Sequence, residues 1–184
     1  NFGGLGDGGF MTTNDTEFYE HCKLLRNHGM AQQYLHHTIG GNFRMDAMQA
    51  AALRVKLRDM DEVTEIRRQN AANYRRLFEE ADLMEWAELP TDTDRHAYHQ
   101  FVLHVPAEQR DPAIQHLRGQ GVGCAIYYPV PFHRQPCFEY LGHDAADFPV
   151  AEEASRRSLA LPIFQGLTEA EQVDVVGAIK NFVK

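Results

Sequence analysis

The first half of the chain contains three segments in which apolar residues recur at helical spacing. The first segment is capped by Asn14 or Asp15, the second begins at Asp46, and the third runs from residue 62 to 81. Asp46 is followed three residues later by Gln49, which is the pattern of a capping box. We therefore predict three helices here, the last of them about 30 Å long.

The segments between these helices lack helical periodicity. Residues 9–13 suit a short strand, and residues 30–44, rich in Gln, His and Gly, predict a long ordered loop. Residues 47–53 are apolar on every side except at Gln49. The second helix should therefore be enclosed by protein on nearly all sides.

The second half of the chain alternates short strands with helices. The predicted elements are a strand at 99–105, a helix at 111–118, a strand at 124–128, a helix at 150–158 and a strand at 159–161. A last helix follows Thr168 and Glu171, which form a second capping-box pattern. Its apolar positions, expected to be buried, are Val173, Val176, Ile179 and Phe182.

A polar linker at residues 90–94 marks a change in composition. The segments before it are typical of a larger domain that ends in the long helix. The segments after it predict a small α+β domain. We therefore predict one domain over residues 1–83, including an interdomain helix, and a second over residues 84–184.

Composition narrows the classes of function. The 184 residues carry 18 Lys and Arg against 26 Asp and Glu, a net charge of −8, without a basic block that would bind nucleic acid. The chain lacks an apolar run of the length that a membrane helix needs. The three cysteines, Cys22, Cys124 and Cys137, form no CxxC pair, which favours a reduced, cytoplasmic protein.

Two further patterns suggest cofactor or metal chemistry but lack the required context. Residues 4–9, GLGDGG, match the dinucleotide pattern G-x-G-x-x-G, yet a strand does not precede them and a helix does not follow. His99 and His104 belong to the densest histidine group but point to opposite faces of one predicted strand. We predict a glycine-rich turn in the first case and no metal site in the second.

Two polar clusters suit an anion or a nucleotide. Residues 40–44 precede a helix and can present backbone N–H groups, the Asn42 amide and the Arg44 guanidinium to an anion. These side chains can equally bond loop carbonyls. Residues 127–134 combine two phenols, an imidazole and a guanidinium, which can stack on a base and pair with phosphate. The alternative is a packing loop stiffened by proline.

Several motifs in a fixed order resemble one enzyme family. They are NFGGLGDGG at 1–9, LRNHG at 25–29, IGGNFRMD at 39–46, QAA at 49–51, YHQ at 98–100, YYPVPFH at 127–133 and LALP at 159–162. Together they span nearly the whole chain. They resemble the pyridoxal-phosphate-dependent nucleotide-sugar aminotransferases of the DegT/DnrJ group.

The resemblance implies an α/β fold, that of the fold-type I pyridoxal-phosphate (PLP) transferases, which are aspartate aminotransferase-like. The chain would hold the end of the large domain and the small C-terminal α+β domain, as the C-terminal half of a complete enzyme. In that family the lysine that forms the internal aldimine directly precedes the glycine-rich segment. We therefore expect this lysine immediately before Asn1 and assign no catalytic residue within the chain.

The resemblance also implies roles for individual residues. Asn42 would bind the PLP phosphate of the partner subunit, while Gly6 and Asp7 would shape the loop behind the aldimine lysine. The residues expected to line the substrate pocket are Arg44, Tyr127, Tyr128 and His133. Of these, the guanidinium and the imidazole suit the diphosphate of a nucleotide sugar.

The implied reaction moves an amino group, from glutamate, to a nucleotide-linked keto-sugar in a cytoplasmic homodimer with shared active sites. Two alternatives stay open. One is a PLP-dependent sugar dehydratase of the same fold, in which histidine replaces the lysine. The other is a non-catalytic relative that binds ligand or regulates a pathway.

Overall fold

The computed structural model describes residues 2–184, so the motif residue Asn1 lies outside the described part. The chain forms two compact units that divide between Met60 and Asp61. This division differs from the predicted boundary at 83/84, because the long helix contributes Tyr74 and Phe78 to the core of the second unit. The domain limits of the complete protein stay a prediction.

The first unit consists of short elements. They are helix α1 (Thr16–Arg26), strands β1 (Met30–Gln32) and β2 (Leu35–His36), helix α2 (Ala47–Lys56) and a 3₁₀ turn (Leu57–Asp59). Asp15 caps α1 by accepting from the Phe18 N–H at 3.0 Å. The long loop predicted at residues 30–44 contains an antiparallel hairpin instead, and the strand predicted at residues 9–13 does not form.

Helix α2 departs from its sequence pattern in two ways. Asp46 caps it by accepting from the Met48 N–H at 2.8 Å, but Gln49 does not complete a capping box and donates to the Asp7 carbonyl instead. Within the described residues, α2 also buries none of its side chains. The enclosure expected for this apolar helix is therefore not provided by its own unit.

The second unit is built on a small sheet with helices packed against it. Its elements are α3 (Met60–Glu80), β3 (Phe101–His104), α4 (Ala107–Gly119), 3₁₀ turns at Phe132–Arg134 and Pro136–Leu141, α5 (Pro149–Arg157), β4 (Ser158–Leu161) and α6 (Glu169–Val183). Strands β3 and β4 are antiparallel, with Phe101 opposite Leu161. Single bridges at Glu88 and Ala125 extend the sheet on either side. The strand predicted at 124–128 is thus reduced to one bridge.

The hydrophobic core lies entirely in the second unit. Its large side chains without solvent contact include Tyr74, Phe78, Phe101, Leu103, Leu117, Leu159 and Ile179. Helix α6 turns Val175 and Val176 into this core, whereas Val173, predicted to be buried, is 48% exposed. The capping box of Thr168 and Glu171 forms as predicted.

Candidate functional site

The glycine-rich loop that opens the described chain is tied to α2. The Nε2 of Gln49 donates to the backbone oxygen of Asp7 at 2.8 Å. The Nζ of Lys56 donates to the backbone oxygen of Gly3 at 2.6 Å. Gly6 and Asp7, the residues predicted to shape the loop behind the cofactor, are exposed on this tethered segment.

The loop at residues 40–44 is fastened to the end of α1. Asn42 forms an antiparallel bridge with Asn27, and the Arg44 guanidinium donates to the Asn27 side-chain oxygen. A Cβ on Gly40 would lie 2.5 Å from the backbone nitrogen of Gly29, so this close approach requires glycine. The backbone of the predicted anion loop is therefore held in place.

The side chains of this loop fit a phosphate group. Asn42 and Arg44 are both exposed. They offer a neutral carboxamide and a permanent cation, which are donors that phosphate oxygens accept. The nearby carboxylate of Asp46 is engaged by the Met48 N–H at 2.8 Å.

A cavity of about 610 Å³ lies in the second unit, between the 3₁₀ turns and α5. Six of its lining residues are Tyr127, Tyr128, Phe132, His133, Phe138 and Phe148. A volume of this size is within the usual range for small-molecule sites, which are mostly apolar with few polar groups. The structure thus brings three of the predicted substrate residues into one aromatic cavity.

His133 is held against α5. Its Nε2 lies 3.0 Å from Oε1 of Glu152, and the two side chains are only 8% and 17% exposed. The ring also packs on Phe148, with 4.7 Å between centroids. Because a carboxylate occupies this imidazole nitrogen, the geometry favours a positioning role over the predicted contact with a diphosphate.

The sequence analysis did not identify Glu152 and Phe148 as site residues. They follow His133 by 19 and 15 positions, and only the fold of the 3₁₀ turns brings them to its ring. A second acid–imidazole pair borders the same cavity, where Asp147 lies 3.1 Å from Nδ1 of His143. The Asp144 N–H and this imidazole lower the pKa of Asp147.

The two groups of predicted residues lie in different units. Gly6, Asp7, Asn42 and Arg44 belong to the unit that ends at Met60, and the cavity residues belong to the unit that begins at Asp61. Each group is described by itself. The aldimine lysine expected before Asn1 lies outside the described residues.

Surveys of residues 2–184 add three findings. All three cysteines have free thiols. His, Cys, Asp and Glu side chains in this range form no group of three that could hold a metal ion. None of the helices formed by these residues is both long enough and apolar enough to cross a membrane.

Comparison with curated proteins finds relatives along the whole chain. It is 42% identical over 186 residues to a pleiotropic regulatory protein of Geobacillus stearothermophilus, covering 100% of this chain and 49% of the relative. It is 35% identical over 192 residues to a dTDP-3-amino-3,4,6-trideoxy-alpha-D-glucose transaminase of Streptomyces venezuelae, covering 100% and 48%. The chain spans about half the length of the curated relatives it matches.

Solved structures share the fold. The crystal structure of DesV from S. venezuelae superposes with a TM-score of 0.84 at 32% identity, over 94% of this chain and 46% of DesV. This similarity confirms the predicted fold class, the α/β fold of the fold-type I PLP transferases. The profile of the DegT/DnrJ/EryC1/StrS aminotransferase family matches residues 1–180. The chain belongs to this aminotransferase family.

Proposed function

We propose that the complete protein is a PLP-dependent aminotransferase that moves an amino group from glutamate to a nucleotide-linked keto-sugar. The observation that carries this proposal is the family match over residues 1–180. The relative from S. venezuelae, named as a transaminase of a dTDP-linked amino sugar, supports the substrate class.

The residues of the first unit suit the cofactor. Asn42 would bind its phosphate, in the active site of the partner subunit of a homodimer, through a carboxamide that is exposed and uncharged. A neutral donor loses less hydration free energy on binding than a charged one. When bound, pyridoxal phosphate supplies the electron sink for amino-group transfer.

Substrate binding falls to Arg44 and to the aromatic cavity. The guanidinium of Arg44 offers a planar fork that matches phosphate oxygens in two hydrogen bonds. Tyr127 and Tyr128 present aromatic faces and hydroxyls at the cavity wall, which suit a sugar ring or a base. His133 holds the cavity wall through Glu152 rather than meeting the diphosphate.

The test uses the complete protein with its cofactor. We expect peptide mapping after borohydride reduction to find a cofactor-sized adduct on a lysine immediately before Asn1. Glutamate should then bleach the visible absorbance of the bound cofactor, and a nucleotide-linked keto-sugar should restore it. Histidine at that position would favour the dehydratase instead.

A non-catalytic regulatory role is the second candidate, because one relative at 42% identity is named a regulatory protein. A protein without visible cofactor absorbance, and without any response to glutamate, would support this role and refute the aminotransferase. The cytoplasmic location and the homodimer stay predictions, and sedimentation of the full-length protein would test the second of them.

A further inference from the structure

Two side chains of α2 grip the glycine-rich loop at separate points. Gln49 and Lys56 are seven residues apart, which is two helical turns and therefore the same face of the helix. They donate to the backbone oxygens of Asp7 and Gly3, at 2.8 Å and 2.6 Å. We call these two contacts, together with the loop between Gly3 and Asp7, the loop clamp.

The glycines of the loop fit closely around the Gln49 amide. A Cβ on Gly4 would lie 3.0 Å from Gln49 Oε1, and one on Gly8 would lie 3.3 Å from its Nε2. A Cβ on Gly9 would meet nothing within 4 Å. The requirement for glycine therefore comes from the Gln49 side chain at two positions and is absent at the third.

Burial of large side chains does not hold this loop within the described residues. Leu5 is 79% exposed and Phe10 is 83% exposed. The hydrogen bonds from Gln49 and Lys56 therefore carry much of the order of residues 3–7 in this unit. A hydrogen bond of this kind contributes about 0.5–1.5 kcal/mol.

We propose that Gln49 and Lys56 are positioning residues that fix the loop leading away from the cofactor-bearing lysine. This inference rests on the proposed function, which expects that lysine immediately before Asn1. Gly3 would lie only three residues beyond it, so a shift of the clamped carbonyl would move the lysine amine. Rates fall steeply when a reacting group is displaced by about 1 Å.

The test compares variants of the complete protein with bound cofactor. Gln49→Glu keeps the size of the side chain but removes the N–H donor, and Lys56→Met removes the ammonium group. Gly4→Ala attacks the same contact from the loop. The matched controls are Arg54→Met, on the same helix, and Gly9→Ala, where a methyl group meets open space.

Two readouts decide the question. Amide hydrogen exchange in residues 2–9 should quicken about 3- to 10-fold in the three clamp variants, as expected for the loss of one hydrogen bond. The pH midpoint of the cofactor's visible absorbance should shift in the same variants, because the amine changes its surroundings. Both readouts should stay at wild-type values in Arg54→Met and Gly9→Ala.

Two results would overturn the proposal. Exchange that quickens equally in Arg54→Met would show a general loosening of α2 rather than a clamp. An unchanged absorbance midpoint in all clamp variants would remove the positioning role, even with the loop loosened. A wild-type protein without cofactor absorbance would instead refute the proposed function, while the exchange data would still decide whether the clamp holds the loop.

Discussion

The imidazole of His133 and the carboxylate of Glu152 form a largely buried pair, with 3.0 Å between Nε2 and Oε1. This pair joins the turn that follows Tyr127 and Tyr128 to α5. Arg134 approaches the same carboxylate at 3.7 Å. One acidic side chain of α5 thus anchors two successive residues of the cavity wall.

Replacing Glu152 with alanine should destabilise the second unit and loosen the cavity. We expect Glu152→Ala to lower the free energy of unfolding by about 1–3 kcal/mol, because it leaves a buried imidazole without its partner. Denaturant titration measures this loss. The Michaelis constant for the nucleotide sugar should rise in the same variant, while the reaction with glutamate alone should change little.

Glu153→Ala is the matched control for this substitution. Glu153 is half exposed and pairs with Arg156 at 2.6 Å on the surface of α5. Exposed pairs contribute about 0–1 kcal/mol. Equal losses in the two variants would contradict the anchoring role of Glu152.

The core of the second unit should be sensitive at Phe101. This side chain has no solvent exposure and stacks on Tyr74 with 5.1 Å between ring centroids. Phe101→Ala should reduce the free energy of unfolding by about 3–5 kcal/mol through the cavity it leaves. Phe132→Ala, at a residue that is mostly exposed, should stay within about 0.5 kcal/mol. Similar values for both variants in chemical denaturation would exclude this core.

The two units should differ in their ability to fold alone. Every buried apolar residue in the described chain lies between Ala71 and Ile179. We expect residues 61–184 to unfold cooperatively as a separate fragment, and residues 1–60 to remain largely unfolded. Circular dichroism during thermal unfolding distinguishes these outcomes. A cooperative transition in the shorter fragment would show that it needs no additional protein surface.

The complete 184-residue chain should aggregate or fold poorly when expressed alone. Exposed apolar side chains such as Met48 and Val55 give α2 a surface that no described residue covers. Contiguous exposed apolar surface of this kind promotes association. Analytical size exclusion measures it, and a well-behaved monomer would contradict the expectation.

Cysteine reactivity should depend on pH differently at two positions. Burial raises the pKa of the Cys124 thiol, although the Arg118 guanidinium opposes the shift. A raised pKa leaves less thiolate at a given pH, so iodoacetamide should modify Cys124 more slowly than the exposed Cys137 at pH 7–8. The Cys124 rate should still be climbing above pH 9. Peptide mass spectrometry would measure both rates, and equal rates would contradict the burial.

The sequence predicts best the features that depend on neighbours along the chain. The capping box at Thr168 and the long helix α3 are of this kind, since caps and periodicity lie within a few residues. The hairpin at β1 and β2 escaped prediction because its strands are two and three residues long and mostly polar. Strand 9–13 was wrong because a strand needs a partner.

The buried face of α6 shows a second limit. A spacing of three residues falls short of a full turn, so a stripe drawn from Val173 to Phe182 drifts by about 180° around the helix. The structure buries Val175, Val176 and Ile179 instead. The pairing of His133 with Glu152 depends in the same way on tertiary folding, and nothing at their spacing announces it.

The junction at Met60 and Asp61 has a consequence for recombination among relatives. A crossover there would transplant α3 together with the strands and helices it packs on, so the donor's interior would arrive whole. A crossover at residue 84 would part α3 from that interior and combine side chains selected in different proteins. Chimeras joined at the earlier point should retain a native-like second unit far more often.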